Sequence, residues 1–254
     1  MYVDKFESIV LRWMVIILVP ALLGTMLVVK DLSTQQKNAD PEFNGYVAPS
    51  NLGDWIDLAR ERTVTVSCNE IAGSGFSFDF LPVDKARWSF KRSEETESIL
   101  LTNYHVIEPC LQAKKLVKIY LDEKKVLEAE IAAFDSARDI AALSIKRKID
   151  PLYSIYYKPY SGYWVMAVGS PFAMDGTTTF GNIINLEDDK IFTSASLNKG
   201  NSGGPLVDNE GLVVGMNTGY RAVAQNVNWA IDINALCYKI AICESDTGLL
   251  HPIK

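Results

Sequence analysis

From residue 51 onward, short apolar runs alternate with clusters of Gly, Pro, Asn, Asp and Ser. Runs at 63–68, 75–80, 98–102, 116–121, 126–133 and 141–145 are followed by others at 163–168, 177–185, 190–194, 204–207, 212–218 and 228–231. Each is short for a helix and bounded by turn signals, so each reads as a strand. About a dozen such strands in succession predict an all-β domain, a sandwich or a pair of barrels. Two stretches break the pattern. Residues 54–62 read as a short helix with apolar Trp55, Ile56, Leu58 and Ala59. Near the end, Ile233, Leu236, Cys237, Ile240 and Ala241 fall on one face of a second helix, which Asp232 can cap and which is expected to pack on the second barrel.

The first fifty residues read differently. Residues 13–29 carry no charge, and Ile9, Val10 and Leu11 extend the run across Arg12, whose long side chain can snorkel to an interface. At about 1.5 Å per residue, this run approaches the roughly 30 Å of a bilayer core. The rival is a cleaved secretory signal, whose apolar region is about 7–15 residues long and precedes a small-x-small cleavage site. This run is longer and no such site follows, so an uncleaved anchor is expected at 13–29, with 1–12 as its flank. Pro20 is tolerated in a membrane helix. Lys5 and Arg12 on one side balance Lys30 and Lys37 on the other, so charge does not decide the orientation. Residues 30–50 are polar, interrupted by Pro41 and Pro49, and read as a linker to a folded domain at 51–254.

Composition narrows the chemistry. The chain has 254 residues, 48% hydrophobic and 22% charged, with a net charge of −6 and no long basic run, which argues against nucleic acid as a partner. The two histidines are His105 and His251, and Cys68, Cys110, Cys237 and Cys243 show no Cys-x-x-Cys spacing. A zinc site is therefore not expected, and no metal or other cofactor is implied. Any imidazole base is one of two residues. The cysteines could pair in an oxidising compartment or stay as buried thiols. In one continuous helix Cys237 and Cys243 would lie about 9 Å apart along the axis, so they pair only if the helix ends between them.

Candidate chemistry centres on Gly200-Asn201-Ser202-Gly203-Gly204-Pro205-Leu206. Glycines permit a sharp turn that aims the amides of Gly200 and Ser202 at one point in front of the Ser202 hydroxyl, where an oxyanion would form. The plainer alternative is a glycine-rich turn between strands. Leu101-Thr102-Asn103-Tyr104-His105-Val106-Ile107 places His105 just past a strand end, where it is either a base facing a cleft or a hydrogen-bonded structural histidine. Phe134-Asp135-Ser136-Ala137-Arg138-Asp139-Ile140-Ala141 places Asp139 at the edge of an apolar run, while Asp135 fits the role of turn cap better. In the order His, Asp, Ser these supply base, orienting acid and nucleophile of a serine triad. The order His, Asp, Ser is not the Ser, Asp, His order of α/β-hydrolases, which argues against that fold.

With these motifs the chain resembles the HtrA/Deg family of trypsin-like serine proteases. That family carries Thr-Asn-x-His-Val, Asp-x-x-x-Asp-Ile-Ala and Gly-Asn-Ser-Gly-Gly-Pro-Leu in this order. Val168-Gly169-Ser170-Pro171-Phe172 and Val227-Asn228-Trp229-Ala230-Ile231 are similar to two further family stretches, so the likeness runs over roughly 55–240. The resemblance implies two six-stranded antiparallel β-barrels, with His105 and Asp139 from the first and Ser202 from the second. It implies an oxyanion hole at Gly200, Asn201 and Ser202, and a disulfide bracketing the histidine, Cys68–Cys110. The implied activity is endopeptidase cleavage of unfolded or exposed protein segments outside the cytoplasm, with the periplasm the expected place. It also implies a homotrimer built through N-terminal segments, for which 45–56, with Tyr46, Val47, Leu52, Trp55 and Ile56, is the candidate unless these residues simply cover the barrel.

The departures from the family pattern carry information too. Ser196, six residues before the nucleophile, is expected at the floor of the primary specificity pocket, with Val227 and Asn228 lining it. The floor is uncharged, so a small or medium apolar side chain is the expected fit. Ser194, Lys199 and Asp232 replace the family's usual Asp, Pro and Pro. The charged stretch 79–97 is longer than the family's tight hairpin and is expected to be an exposed excursion. No PDZ domain is expected after the protease domain. Two other readings remain, a catalytically silent trypsin-like binding domain and an esterase using the same triad.

Overall fold

The computed structural model describes residues 45–81, 86–122, 124–154, 159–170, 176–220 and 227–243. The chain divides into Met1–Asn44 and Gly45–Lys254, and every described residue belongs to the second unit. The apolar run 13–29 and the linker up to residue 44 lie outside the described residues. Among the described residues no helix is long and apolar enough to cross a membrane.

Helix α1 (Leu52–Glu61) leads into strands β1 (Thr63–Cys68) and β2 (Ile71–Asp79), then the short β3 (Ala86–Trp88) and β4 (Ser98–Thr102). Helix α2 (Tyr104–Ala113) follows, then β5 (Val117–Tyr120), β6 (Val126–Asp135), β7 (Ile140–Ile145) and β8 (Leu152–Tyr153). Strands β1-β5-β6-β7-β4-β2 are antiparallel neighbours, and the β1–β2 pairing closes them into a six-stranded ring. β8 adds to β2 in parallel, outside the ring. A second closed barrel has the order β10-β11-β14-β13-β12-β9. Its strands are β9 (Trp164–Gly169), β10 (Thr177–Glu187), β11 (Lys190–Thr193), β12 (Pro205–Val207), β13 (Val213–Tyr220) and β14 (Asn228–Asp232).

The period-2 alternation of a strand explains three apolar cores. On β4, Leu100 enters the first barrel's interior with Val66, Ile119 and Leu143, while Ile99 and Leu101 point outward. On β9, Val165 and Ala167 enter the second interior with Ile191 and Leu206, while Trp164, Met166 and Val168 point outward. The outward sets meet each other at the seam between barrels, joined there by Phe76, Phe78 and Met216. Strands β4, β7 and β9 thus bury both faces, which is why their sequences are continuous apolar runs rather than alternating ones. Truncating Phe76, fully buried in this seam, to Ala would cost about 3–5 kcal/mol.

Three local expectations need correction. The C-terminal helix does not run to Ala241: a 3-10 helix spans Ile233–Tyr238, and Ala241–Cys243 form β15 on β3. The Asp232 side chain accepts from the Asn234 amide as the expected cap. Because that helix stops, Cys237 and Cys243 come within bonding distance and form a disulfide; Cys68 and Cys110 form the other. Second, the stretch 79–97 is not simply an exposed excursion, since its β3 carries Trp88 and is followed by Phe90, and both pack on the seam. Third, α2 was not foreseen. Of the N-terminal aromatic segment, Trp55 and Ile56 pack onto the seam, whereas Tyr46 and Val47 are exposed.

Candidate active site

The sequence places His105 at the beginning of α2. Asn103 is extended and precedes the helix, and Val106, Ile107 and Cys110 bury the helix against the first barrel's core, so His105 is turned outward with its side chain 46% exposed. Asp139 ends the turn between β6 and β7. That turn is shaped by Asp135, whose carboxylate accepts from the amides of Ala137 and Arg138, and it leaves Asp139 in a left-handed conformation, φ 58°. The Asp139 carboxylate then engages His105 twice. Nδ1–H of the ring donates to Oδ2 at 2.8 Å, and the backbone amide donates to Oδ1 at 2.8 Å. The Asp139 carbonyl accepts from the Tyr104 amide at 3.1 Å and from Asn103 Nδ2 at 3.0 Å. Ring, helix start and acid turn are therefore one hydrogen-bonded unit, and the carboxylate fixes the tautomer with Nε2 as the free acceptor.

Beside it, Arg138 braces the acid turn. Burial opposes its charge, but hydrogen bonds and attraction from Asp135 and Asp189, at 3.2 and 3.1 Å, more than offset this and its pKa is raised. Its guanidinium lies 3.5 Å over the Tyr238 ring.

Ser202 belongs to the second barrel, on the turn leading into β12. Gly203 there has φ 90°, and a Cβ at that residue would stand 2.1 Å from the Ser74 carbonyl, so only glycine fits. The Ser202 hydroxyl donates to the Thr218 carbonyl at 2.9 Å. Thr218 lies in a register shift of β13 between Asn217 and Gly219, and such a bulge turns a residue out of the ladder. Its Oγ1 accepts from Asn103 Nδ2 at 3.0 Å. The fully buried Asn103 amide thus donates to Asp139 on one barrel and Thr218 on the other, and so brings the His–Asp unit and the Ser202 turn together. Among the described residues no hydrogen bond joins Ser202 Oγ directly to His105.

Of the three amides expected in the oxyanion hole, that of Asn201 donates to the Asn198 carbonyl at 3.0 Å. Those of Gly200 and Ser202 have no acceptor among the described residues, and Gly200 has φ 99°. Of the expected pocket residues, Ser196 is exposed, Val227 is half-buried and Asn228 is buried, paired across β11 and β14 with Thr193. Among the described residues no cluster of side chains suits a metal ion. Residues 221–226 lie outside the described residues.

The chain matches the family model of the trypsin-like peptidase domain over residues 88–216, a little over half its length, and it belongs to that family. Within it, the similar proteins are of HtrA/Deg type. It is 34% identical over 182 residues to Protease Do-like 1, chloroplastic, of Arabidopsis thaliana, covering 64% of this chain and 40% of that protein. It is 36% identical over 152 residues to Serine protease HTRA3 of Mus musculus, covering 52% and 32%. Among solved structures, the serine endoprotease from Yersinia pestis superposes with a TM-score of 0.60 at 25% identity, over 76% of this chain and 65% of that one. The chain thus spans well under half the length of these two curated relatives.

Sequence reasoning quoted Asn103 only as part of a motif and missed Thr218 altogether. The signal for Asn103 was its place two residues before His105, at the junction of strand and helix. Thr218 gave none, because a bulge depends on the partner strand rather than on the bulged residue.

Proposed function

We propose that the protein is a serine endopeptidase that cleaves peptide bonds through an acyl-enzyme on Ser202. The observation that carries this is the doubled hydrogen bond of Asp139 to the ring and backbone of His105, with the Ser202 turn linked to the same unit through Asn103 and Thr218. In the reaction the Ser202 proton passes to His105 Nε2 as Oγ bonds to the scissile carbonyl carbon. The amides of Gly200 and Ser202 receive the oxyanion. When the carbon–nitrogen bond breaks, His105 returns the proton to the leaving amine. Water then repeats the sequence and releases the acid. Asp139 stays ionised and steadies the imidazolium. For this to begin, the Ser202 hydroxyl turns from Thr218 to the imidazole when substrate binds.

The proposed substrates are unfolded or exposed protein segments, with a small or medium apolar side chain over the uncharged Ser196. Two disulfides support an oxidising, extracytoplasmic setting, such as the periplasm. The apolar run 13–29 is the proposed membrane anchor, 30–50 its linker and 51–254 the protease domain. Tyr46 and Val47, 46% and 61% exposed, are the proposed contacts of a homotrimer.

The engagement of the Ser202 hydroxyl with Thr218 favours one second reading, a silent binding domain. Casein and a short ester, assayed side by side with Ser202→Ala as the blank, separate the alternatives. Serine-dependent hydrolysis of both supports the endopeptidase; hydrolysis of the ester alone indicates an esterase, and of neither, the silent domain.

A further inference from the structure

We propose that Ser74, on β2 of the first barrel, is a positioning residue that holds the Gly200–Ser202 loop in its oxyanion-binding shape; the inference rests on the peptidase reading above. Ser74 is fully buried, and each of its polar atoms is engaged. Its amide donates to the Ser202 carbonyl at 2.7 Å. Its hydroxyl donates to the Gly200 carbonyl at 2.6 Å and accepts from the Ser170 amide at 2.8 Å. Its own carbonyl accepts from Thr102 Oγ1 at 2.7 Å. One side chain from the first barrel thereby ties down two segments of the second, the nucleophile turn and the end of β9. Close approach is enabled at the preceding residue: a Cβ on Gly73 would stand 2.8 Å from the Ser202 carbonyl and 2.7 Å from Val106 Cγ2, beside His105.

The consequence lies in which atoms of the loop remain free. The Gly200 carbonyl is held by the Ser74 hydroxyl and the Ser202 carbonyl by the Ser74 amide. The Asn201 amide is held by Asn198 and the Gly203 amide by Asn217. What is left without an acceptor among the described residues is the pair of amides that would receive an oxyanion, Gly200 and Ser202. Glycine at φ 99° has little intrinsic preference, so the peptides flanking Gly200 can rotate unless something fixes them. Among the described residues the Ser74 hydroxyl is the group that holds the oxygen of the Gly200–Asn201 peptide, while Asn198 holds its N–H. The backbone amide of Ser74 would survive substitution; the hydroxyl would not, so mutation can isolate its role.

The test uses the full chain, wild type, Ser74→Ala and Ser74→Cys, with kcat and KM on a peptide ester per folded molecule, and inhibition by a peptide aldehyde, whose hemiacetal oxyanion occupies the same hole. Losing an oxyanion donor outright costs about 10²–10³ in kcat, so losing only its aim is expected to lower kcat by roughly 10–100-fold in Ser74→Ala. KM is expected to stay within about threefold, aldehyde affinity to fall in parallel with kcat, and the pH profile to keep its position because the His105–Asp139 unit is untouched. Ser74→Cys, with a weaker donor of similar size, is expected to fall between the two. A purely structural role would lower the folded fraction and leave kcat per folded molecule unchanged, and that result in Ser74→Ala overturns the inference. Should Ser74→Ala not fold, Ser74→Cys decides alone: a kcat at least about fivefold below wild type supports the proposal and any smaller loss overturns it. An inactive wild type overturns the peptidase reading itself, whereas an active wild type with an unaffected Ser74→Ala overturns this inference only.

Discussion

The two disulfides offer a quantitative test because they differ in the length of chain they close. Cys68–Cys110 joins β1 to α2, the helix that carries His105, across a separation of 42 residues, whereas Cys237–Cys243 spans 6. A cross-link stabilises mainly by removing freedom from the unfolded chain. Chain-entropy scaling gives about 4 kcal/mol for the first separation of 42 and about 2 kcal/mol for the second of 6. At roughly 2–4 °C per kcal/mol for a domain of this size, the double variant Cys68→Ala/Cys110→Ala is expected to melt about 8–16 °C below wild type. For Cys237→Ala/Cys243→Ala the expected fall is about 4–8 °C. Double variants leave no unpaired thiol to reshuffle. Calorimetry under non-reducing conditions reads both. Below its transition the first variant should keep its activity, because the two hydrogen bonds that His105 donates to Asp139 still hold it. Equal shifts for the two variants, or a larger one for Cys237→Ala/Cys243→Ala, would refute the loop-length reasoning.

Other substitutions probe the joint between barrels and the acid turn. Asn103→Leu removes both Nδ2 bonds, to Asp139 and Thr218, and is expected to cost about 2 kcal/mol in urea denaturation and to lower kcat more than it raises KM. Arg138→Met takes the guanidinium from Oδ2 of the largely buried Asp135, whose Oδ1 keeps its backbone amides, and removes the contact with Tyr238; a loss of about 2 kcal/mol is expected by the same measurement. The folded-state pKa of Arg138 is raised, so its contribution is complete below the ordinary arginine value and is lost only as pH rises beyond the raised one. The difference in urea midpoint between wild type and Arg138→Met should therefore be flat from about pH 6 to about pH 9.

The barrel strands were legible because their pattern is set by burial within each barrel. The runs at 98–102 and 190–194, for instance, coincide with β4 and β11 to within a residue. Elements defined by a partner were not legible. β3, β8 and β15 are two or three residues long, and nothing in Ala86–Trp88 announces that Ala241–Cys243 will pair with it. Helix α2 carried a readable signal, the apolar set Val106, Ile107 and Cys110 at helical spacing, but it overlaps the histidine motif and the strand reading of its surroundings hid it. At the C-terminus the apolar face continued past Tyr238, yet strand pairing and the Cys237–Cys243 bond outweighed helical periodicity. At the site, residue types with distinctive chemistry and glycine-rich spacing could be found from sequence. Ser74 and Thr218 could not, because their importance lies in which carbonyl or hydroxyl a distant turn brings to them.

The most direct measurement of the central claim is the rate of covalent labelling by a fluorophosphonate, which reports an activated serine without needing the natural substrate. The expected result is labelling of the wild type, none of Ser202→Ala, a rate lowered by roughly 10³-fold or more in His105→Ala, and an unchanged rate in His251→Ala. An unlabelled wild type, label that persists in Ser202→Ala, or equal losses for His105→Ala and His251→Ala would contradict it.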